Sequence, residues 1–441
     1  MKRPAQRLAL ICALILMGQP MTATGTGFET PPARTPGSVI AADILANPLY
    51  TVHDPVASDG RFNTYSITAP FGDMEITGND MLQERLQEAE AVTSIRKVRK
   101  TEAFIKAVGT TAVSPFYMAA DIIRNPVRTI KDIPSGVGAF FTKIGDSISS
   151  LFGSDDEEPE NKNQEWAKEI SGFNKQKRRL AALLEVDPYT DNAVLQEELT
   201  DLTWVYFAGK TSVDTALSVA PIGAVGLVIS GLKASNQLQN LLKESSPEDL
   251  LKTNQAIMVK LGLSEDLQKR FLYHDHCTPR HQTVLTHAMG ELESTTGHGA
   301  LFELAADAGN DRTCRTTQNL AELMAWYQNS VAALTRIESV GNDLHMVDDN
   351  GAWILPVWGD HLLWTSELQE SLHRLERNAP PTALRTLLTP ATLSETARRE
   401  LTALGVRIMD RSMHRPLRAP KPVIIKVNES QGDEAVDPNA L

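Results

Sequence analysis

Apolar residues recur at helical spacing through most of the chain. A first apolar face begins after Asp80, and similar spacing returns over residues 166–273 and in parts of the last third. The members of that first face are Leu82, Leu86, Ala89, Val92, Ile95 and Val98. Only 6% of the residues are aromatic, while leucine, alanine and valine are abundant, which favours helices over a β-sandwich. The pattern predicts a mainly α fold.

Strand-like alternation of apolar and polar residues predicts two hairpins within this helical background. Residues 65–69 alternate, and residues 70–73 form a turn before the alternation resumes. Residues 344–347 and 353–357 flank a turn at 348–351, whose asparagine and glycine suit positive φ. The predicted fold therefore has helical N-terminal and central regions, a small β-hairpin, and a C-terminal α+β region.

Shifts in composition indicate the domain boundaries. Residues 154–165 contain six carboxylates and no large apolar side chain, which is typical of a solvated linker. The predicted segments are a signal peptide (1–25), a flexible leader (26–48), the β-hairpin with basic amphipathic helices (49–153), an acidic linker (154–165), a helical domain (166–273), an α+β domain (274–413) and a disordered tail (414–441).

The N-terminal residues predict export. Lys2, Arg3 and Arg7 precede an apolar run over residues 8–18, which is too short to span a bilayer. Small residues over 22–25 then offer a cleavage site. An N-terminal anchor that is never cleaved is the alternative. The predicted location is the periplasm or the extracellular space.

Charge is unevenly distributed along the chain. Cleavage after residue 25 removes three basic residues and no acidic one, so the formal net charge changes from −12 to −15. Such an acidic chain argues against nucleic-acid binding, which requires a basic face. Residues 96–150 depart from this average, because nine Lys or Arg stand there against four Asp or Glu. They form a basic, amphipathic segment inside an acidic protein.

This basic segment is the predicted binding surface. Its apolar contacts are assigned to Phe140, Phe141, Ile144 and Ile148, which lie at helical spacing. Its charge is assigned to Lys97, Arg99, Lys100, Arg124 and Arg128. Basic residues near an anionic leaflet contribute about 1 kcal/mol each. The sequence therefore predicts an exported, non-enzymatic envelope protein that binds an anionic membrane surface or an unknown protein.

A second uncharged stretch supports a different hypothesis. Residues 215–232 are almost long enough to span a bilayer, although Pro221 interrupts them. A buried helical hairpin in a large core is the alternative interpretation. If residues 103–152 and 215–232 inserted together, the protein would be a membrane-inserting or pore-forming effector.

A histidine-rich segment supports an enzymatic hypothesis. Five of the ten histidines lie between His274 and His298. In an extended segment His274 and His276 point the same way, and His281 lies on the first turn of the next helix. Three imidazoles with water in the open position would suit zinc or copper and would make the protein a metal-dependent hydrolase. The alternative is a polar loop whose imidazoles cap the helix or face solvent.

Two cysteines, Cys277 and Cys314, remain after removal of the signal peptide. Two cysteines in an oxidising compartment most often pair, so we predict a disulfide between them. Two unpaired buried thiols are the alternative that the spacing leaves open.

Overall fold

The computed structural model describes residues 27–102, 162–208, 217–219, 232, 235–413, 415–423 and 425–427. About 50% of the described residues are helical and 16% lie in strands, and these strands form several mixed and antiparallel sheets. The protein therefore has a mixed α/β fold. The prediction of a mainly α fold is wrong.

The elements follow one another from residue 36 to residue 427. The helices are α1 (Pro36–Val39), α2 (Ala42–Leu45), α3 (Asn79–Arg99), α4 (Lys162–Leu183), α5 (Ala193–Ala208), α6 (Ser235–Glu244), α7 (Pro247–Lys260), α8 (Glu265–Leu272), α9 (Pro279–Gly290), α10 (Gly299–Ala306), α11 (Asp311–Ser330), α12 (Ser366–Asn378) and α13 (Glu395–Ala403). The strands are β1 (Thr51–Val52), β2 (Ala57–Ser58), β3 (Asn63–Ala69), β4 (Gly72–Thr77), β5 (Leu217–Val219), β6 (Leu334–Val340), β7 (Asp343–Asp348), β8 (Trp353–Pro356), β9 (His361–Leu362), β10 (Arg385–Leu388), β11 (Thr392–Leu393), β12 (Arg407–Met409) and β13 (Ile425–Val427).

Short polar side chains set the starts of many helices. Each accepts a hydrogen bond from the amide three residues later, as N-cap residues do. Thr278, for example, caps α9 and is followed by Pro279 at the first helical position. The other N-caps of this kind are Ser246, Ser264, Asn310, Thr365 and Ser394.

A five-stranded mixed sheet, ordered β12-β10-β8-β7-β6, organises the C-terminal half. Strands β8, β10 and β12 are parallel, while β6, β7 and β8 are antiparallel. Parallel strands need crossover connections, and α12 and α13 supply them between β8 and β10 and between β10 and β12. These are βαβ units rather than the predicted α+β arrangement.

The sheet is the middle layer of three. Met346 and Ile354 pack into a core shared with helices α6 to α11. The neighbouring residues Val347 and Trp353 pack on the opposite face, against α12 and α13. Because successive residues of a strand point to opposite faces, each of these strands must be apolar on both sides.

This burial on both faces explains the error in the predicted fold class. All four residues of β8 are buried, so the strand has no polar alternation to detect. Strands β10 and β12 have only four and three residues. A search for alternation finds the antiparallel hairpins and misses the parallel pairs.

Both predicted hairpins are present. Tyr65 lies opposite Ile76, and Ile67 opposite Met74, in the hairpin of β3 and β4. Strands β7 and β8 pair around a turn in which Gly351 has φ 75°. The apolar face that the sequence predicts on α3 is also confirmed. Its members are buried in two clusters, one with the N-terminal sheet and one with α4 and α5.

Both ends of the described chain contact distant parts of the fold. Near the start, the Glu29 amide donates to the Trp364 carbonyl at 2.8 Å, and the Trp364 amide donates to the Glu29 carboxylate at 2.6 Å. Residues 415–423 lie along α3 and are bonded to its side chains. The sequence predicts a flexible leader and a disordered tail for the segments that contain these contacts.

Candidate functional site

The histidine-rich segment runs from the surface into the interior over eight residues. His276 is exposed and His274 is partly buried, whereas His281 is only 2% exposed. The turn between them is fixed by the Thr278 N-cap, whose hydroxyl accepts from the His281 amide at 3.3 Å. Side chains before and after this cap therefore lie in different surroundings.

The predicted disulfide between Cys277 and Cys314 is present. The two Cα atoms lie 5.3 Å apart, and both side chains are 1% exposed. The bond joins the residue before the α9 cap to the first turns of α11. It therefore fixes the starts of these two helices side by side.

The three predicted metal ligands are not gathered at one point. The His274 and His276 rings are 5.8 Å apart, and the His274 Nδ1 atom already accepts from the His276 amide at 3.2 Å. Within the described ranges, the group with metal-ligand spacing is His274 with the two cysteines, whose sulfurs are bonded to each other. His281 is buried in a separate group of charged side chains. The geometry does not favour zinc or copper held by the three histidines.

That group, which we call the Glu84 cluster, forms where α3, α9, α11 and the loop before α5 meet. It consists of Glu84, Arg85, Glu88, Asp187, Asp191, Arg280, His281, Asp311 and Arg315. Its central contact is the ion pair between Arg315 Nη1 and Glu84 Oε2, at 2.7 Å. Arg280 lies between Glu84, at 3.8 Å, and Asp187, at 3.6 Å.

A second part of the cluster surrounds Glu88, which is fully buried. Arg85 donates to Glu88 at 2.7 Å and also pairs with Asp191. The Asn192 side-chain amide donates to Glu88 at 2.8 Å, and the Thr190 hydroxyl donates to the same carboxylate. The loop over residues 187–192 is thus held on α3 by polar contacts.

The carboxylates of the cluster have opposite pKa shifts. Burial raises the pKa of Glu84, but Arg315, Arg280 and Arg85 outweigh it and hold that pKa well below its usual value. Burial dominates at Asp187 and raises its pKa to about 6, although Arg280 opposes the shift. Burial likewise raises the pKa of Glu88. The number of nearby arginines and their distance decide whether the pKa of each carboxylate is raised or lowered.

His281 is a neutral imidazole between charged neighbours. Burial lowers its pKa well below the usual value, and Arg315 and Arg280 lower it further. Its Nδ1 atom is 3.7 Å from an Asp311 oxygen, and neither ring nitrogen has a hydrogen-bond partner among the described residues.

The chemical capacity of the Glu84 cluster is limited by its burial. A carboxylic acid with a pKa near 6 beside arginines could donate a proton, but Asp187 is 2% exposed. Two cavities of about 250 and 470 Å³ lie in the described part of the chain, and residues outside the cluster line both. The contacts instead join α3 to the three-layer core.

The sequence predicted His281 as a metal-ligand candidate, and it gave no indication that Arg280 and Glu84 lie near this histidine. Glu84, Arg85 and Glu88 alternate with the first apolar residues of α3. Charged residues at such positions are usually solvated, so the pattern carries no sign of burial.

The predicted basic surface is only partly within the described residues. Lys97 and Lys100 are exposed at the end of α3. Arg99 is paired with Glu198 at 2.7 Å and with Asp201 at 3.1 Å, so its charge is neutralised within the protein. Six predicted residues lie outside the described ranges, namely Arg124, Arg128, Phe140, Phe141, Ile144 and Ile148.

The uncharged stretch over 215–232 is described at only a few positions. Residues 217–219 form β5, which pairs antiparallel with β13. Of the helices in the described ranges, none combines the length and the apolar character that crossing a membrane requires. Comparisons of the chain with protein-family models, curated proteins and solved structures find no match.

Proposed function

We propose that this chain is an exported protein of the bacterial envelope that acts by binding an anionic surface, either of a membrane or of a partner protein. The observation that carries the proposal is the exposure of Lys97 and Lys100 at the end of α3. These lysines lie at the N-terminal end of the basic segment, residues 96–150.

The surroundings of the two lysines support a role in binding. Arg96 and Arg99, on the same turns, are paired with Glu198 at 2.7 Å. Lys97 and Lys100 have no ion pair with any carboxylate in the described parts of the chain. Their charge is therefore available to an anionic surface, where each lysine contributes about 1 kcal/mol.

The disulfide supports export. Cytosolic reductants keep most thiols reduced, whereas disulfides persist in the periplasm and outside the cell. Cys277 and Cys314 are bonded and buried. This bond, together with the N-terminal sequence of residues 1–25, favours an oxidising compartment for the mature chain.

Co-sedimentation with vesicles tests the membrane form of the proposal. The mature protein should pellet with phosphatidylglycerol-containing vesicles and much less with phosphatidylcholine alone. The variant K97E/K100E should bind at least about tenfold more weakly, because two attractive charges become repulsive. The variant K252E/K260E on α7 has the same change in net charge at exposed positions and is the matched control.

The outcomes distinguish binding to a membrane from binding to a partner protein. Equal pelleting with neutral and anionic vesicles, or an equal loss in both variants, would contradict a charged contact. If no vesicle binds, site-specific photo-crosslinking from position 100 in cells tests for an acidic partner protein. An adduct that disappears in the Lys97→Glu background would support that form, and its absence would refute it.

A further inference from the structure

The segment of residues 415–423, which we call the C-terminal strap, lies extended along α3. The Arg418 amide donates to the Gln83 side chain at 2.7 Å, and the Lys421 amide donates to the Gln87 side chain at 3.0 Å. The two glutamines are four residues apart, so they lie on the same face of the helix.

The same helix face continues to the end of the strap. The Val423 amide donates to the Glu90 carboxylate at 3.1 Å, and the Ser94 hydroxyl donates to the Val423 carbonyl at 2.7 Å. Successive turns of α3 therefore bind the backbone of the strap rather than its side chains.

Contacts with buried parts of the fold fix both ends of the strap. Arg415 pairs with Glu322 at 2.6 Å, and Glu322 is fully buried. The Arg415 guanidinium also lies over the Trp358 ring, 5.5 Å from its centre. Val423 is 8% exposed in the core between α3, α4 and α5.

The composition of the strap matches this mode of binding. Pro416, Pro420 and Pro422 favour an extended polyproline conformation and have no amide to donate. The amides that α3 binds belong to Arg418 and Lys421, which lie between these prolines, and to Val423, which follows the last one. The α3 face is thus suited to a proline-containing extended peptide with an arginine at one end and a β-branched residue eight positions later.

The link that leads into the strap has an unfavourable backbone. Arg411 has φ 54° and Met413 has φ 57°, in a region that side chains with a Cβ rarely adopt. Short links under such strain favour exchange of a segment between identical chains. The exchanged segment makes the same contacts, while the link is released from its positive φ values.

We propose that the α3 face is a peptide-binding site that accepts the strap of a second copy of this chain as well as its own. The result is a dimer in which two copies exchange residues 415–423. This proposal goes beyond the anionic-surface function and does not rest on it.

Cysteine crosslinking of the full mature chain tests the exchange. One variant carries Gln87→Cys and another carries Lys421→Cys, at positions that contact each other across the α3–strap interface. When the two are mixed at high concentration and oxidised, a disulfide between chains forms above background only if a strap occupies the α3 face of the other copy. A mixture of Lys252→Cys with Lys421→Cys gives the background, because Lys252 is exposed on α7.

A double variant and a link variant complete the test. The double variant Q87C/K421C should give an intramolecular crosslink at low concentration and an intermolecular one at high concentration. Replacing Arg411 and Met413 by glycine should lower the intermolecular fraction about tenfold, because glycine tolerates positive φ. Intramolecular crosslinking at every concentration, or no crosslink in the double variant, would overturn the proposal.

Discussion

The two ends of α3 carry charged side chains in different surroundings. Near its start, the buried Glu88 and the largely buried Glu84 contact arginines from the same helix and from α9 and α11. At its end, Lys97 and Lys100 face solvent. A buried charge is costly to leave unpaired, whereas an exposed charge is stable without a partner. We therefore expect the first end to determine stability and the second to be free for binding.

The largest effect should follow from breaking the central ion pair. Arg315→Met leaves the largely buried Glu84 without its nearest cation, so the free energy of unfolding should fall by about 3–5 kcal/mol. Urea denaturation measures it. Arg312→Met, at an exposed position of the same helix, should change stability by less than about 0.5 kcal/mol. Equal effects of the two changes would contradict the assigned role of the cluster.

Loss of the disulfide should have the next largest effect on stability. The double change C277A/C314A should lower the free energy of unfolding by about 2–4 kcal/mol, because the unfolded chain regains conformational freedom. Denaturation of the unaltered protein with and without a reductant should show a similar difference. A change below about 0.5 kcal/mol would indicate that packing alone holds the starts of α9 and α11 together.

Asp187 and His281 should change the pH dependence of stability in opposite directions. The pKa of Asp187 is raised to about 6, so the folded state binds this proton more tightly than the unfolded state, whose pKa is near 4. Its contribution to stability is present at low pH and is lost as the pH rises from about 4 to 6. Asp187→Asn should remove this slope, which is at most about 1.4 kcal/mol per pH unit.

His281 should make stability change with pH in the opposite direction. Its pKa is well below the usual value in the folded state, so only the unfolded state gains a proton just below pH 6.5. Stability is therefore lost as the pH falls below about 6.5. His281→Gln should reduce this loss, whereas Asp187→Asn should increase the net sensitivity to acid. Thermal denaturation of both variants and of the unaltered protein between pH 4 and 7 measures these effects. A greater loss of stability in acid for His281→Gln, or a smaller one for Asp187→Asn, would contradict the assigned pKa shifts.

The smallest change should come from the exposed end of α3. The variant K97E/K100E should keep its free energy of unfolding within about 0.5 kcal/mol, since neither lysine has a described ion pair. Its effect should be confined to binding. A larger loss of stability would mean that these lysines contribute to the fold.

The elements that local patterns define were predictable. Hairpins and capped helices could be identified because alternation, turn residues and N-caps lie within a few positions of one another. The pairing of β10 with β8 could not, because short strands buried on both faces lack a period.

Long-range contacts account for the features that local patterns could not predict. The strap has the proline-rich composition of a disordered segment, yet Gln83 and Gln87 satisfy its amides from more than 300 positions away along the chain. In the Glu84 cluster, Arg315 and Glu84 are 231 positions apart, so neither reveals the other in the sequence. The cysteine pair was predictable because two cysteines in an oxidising compartment most often pair, whatever their distance along the chain.

The crossed contacts of the two chain ends bear on the order in which the protein can fold. Glu29 binds Trp364, and Val423 binds Ser94, so each contact joins residues that are more than 300 positions apart. Contacts at such separations close late and slowly. During synthesis from the N-terminus, α3 is complete long before residues 415–423 are available to cover its polar face. The segments that composition separates along the sequence are therefore parts of one cooperative unit, which reaches its final state only after its distant residues have met.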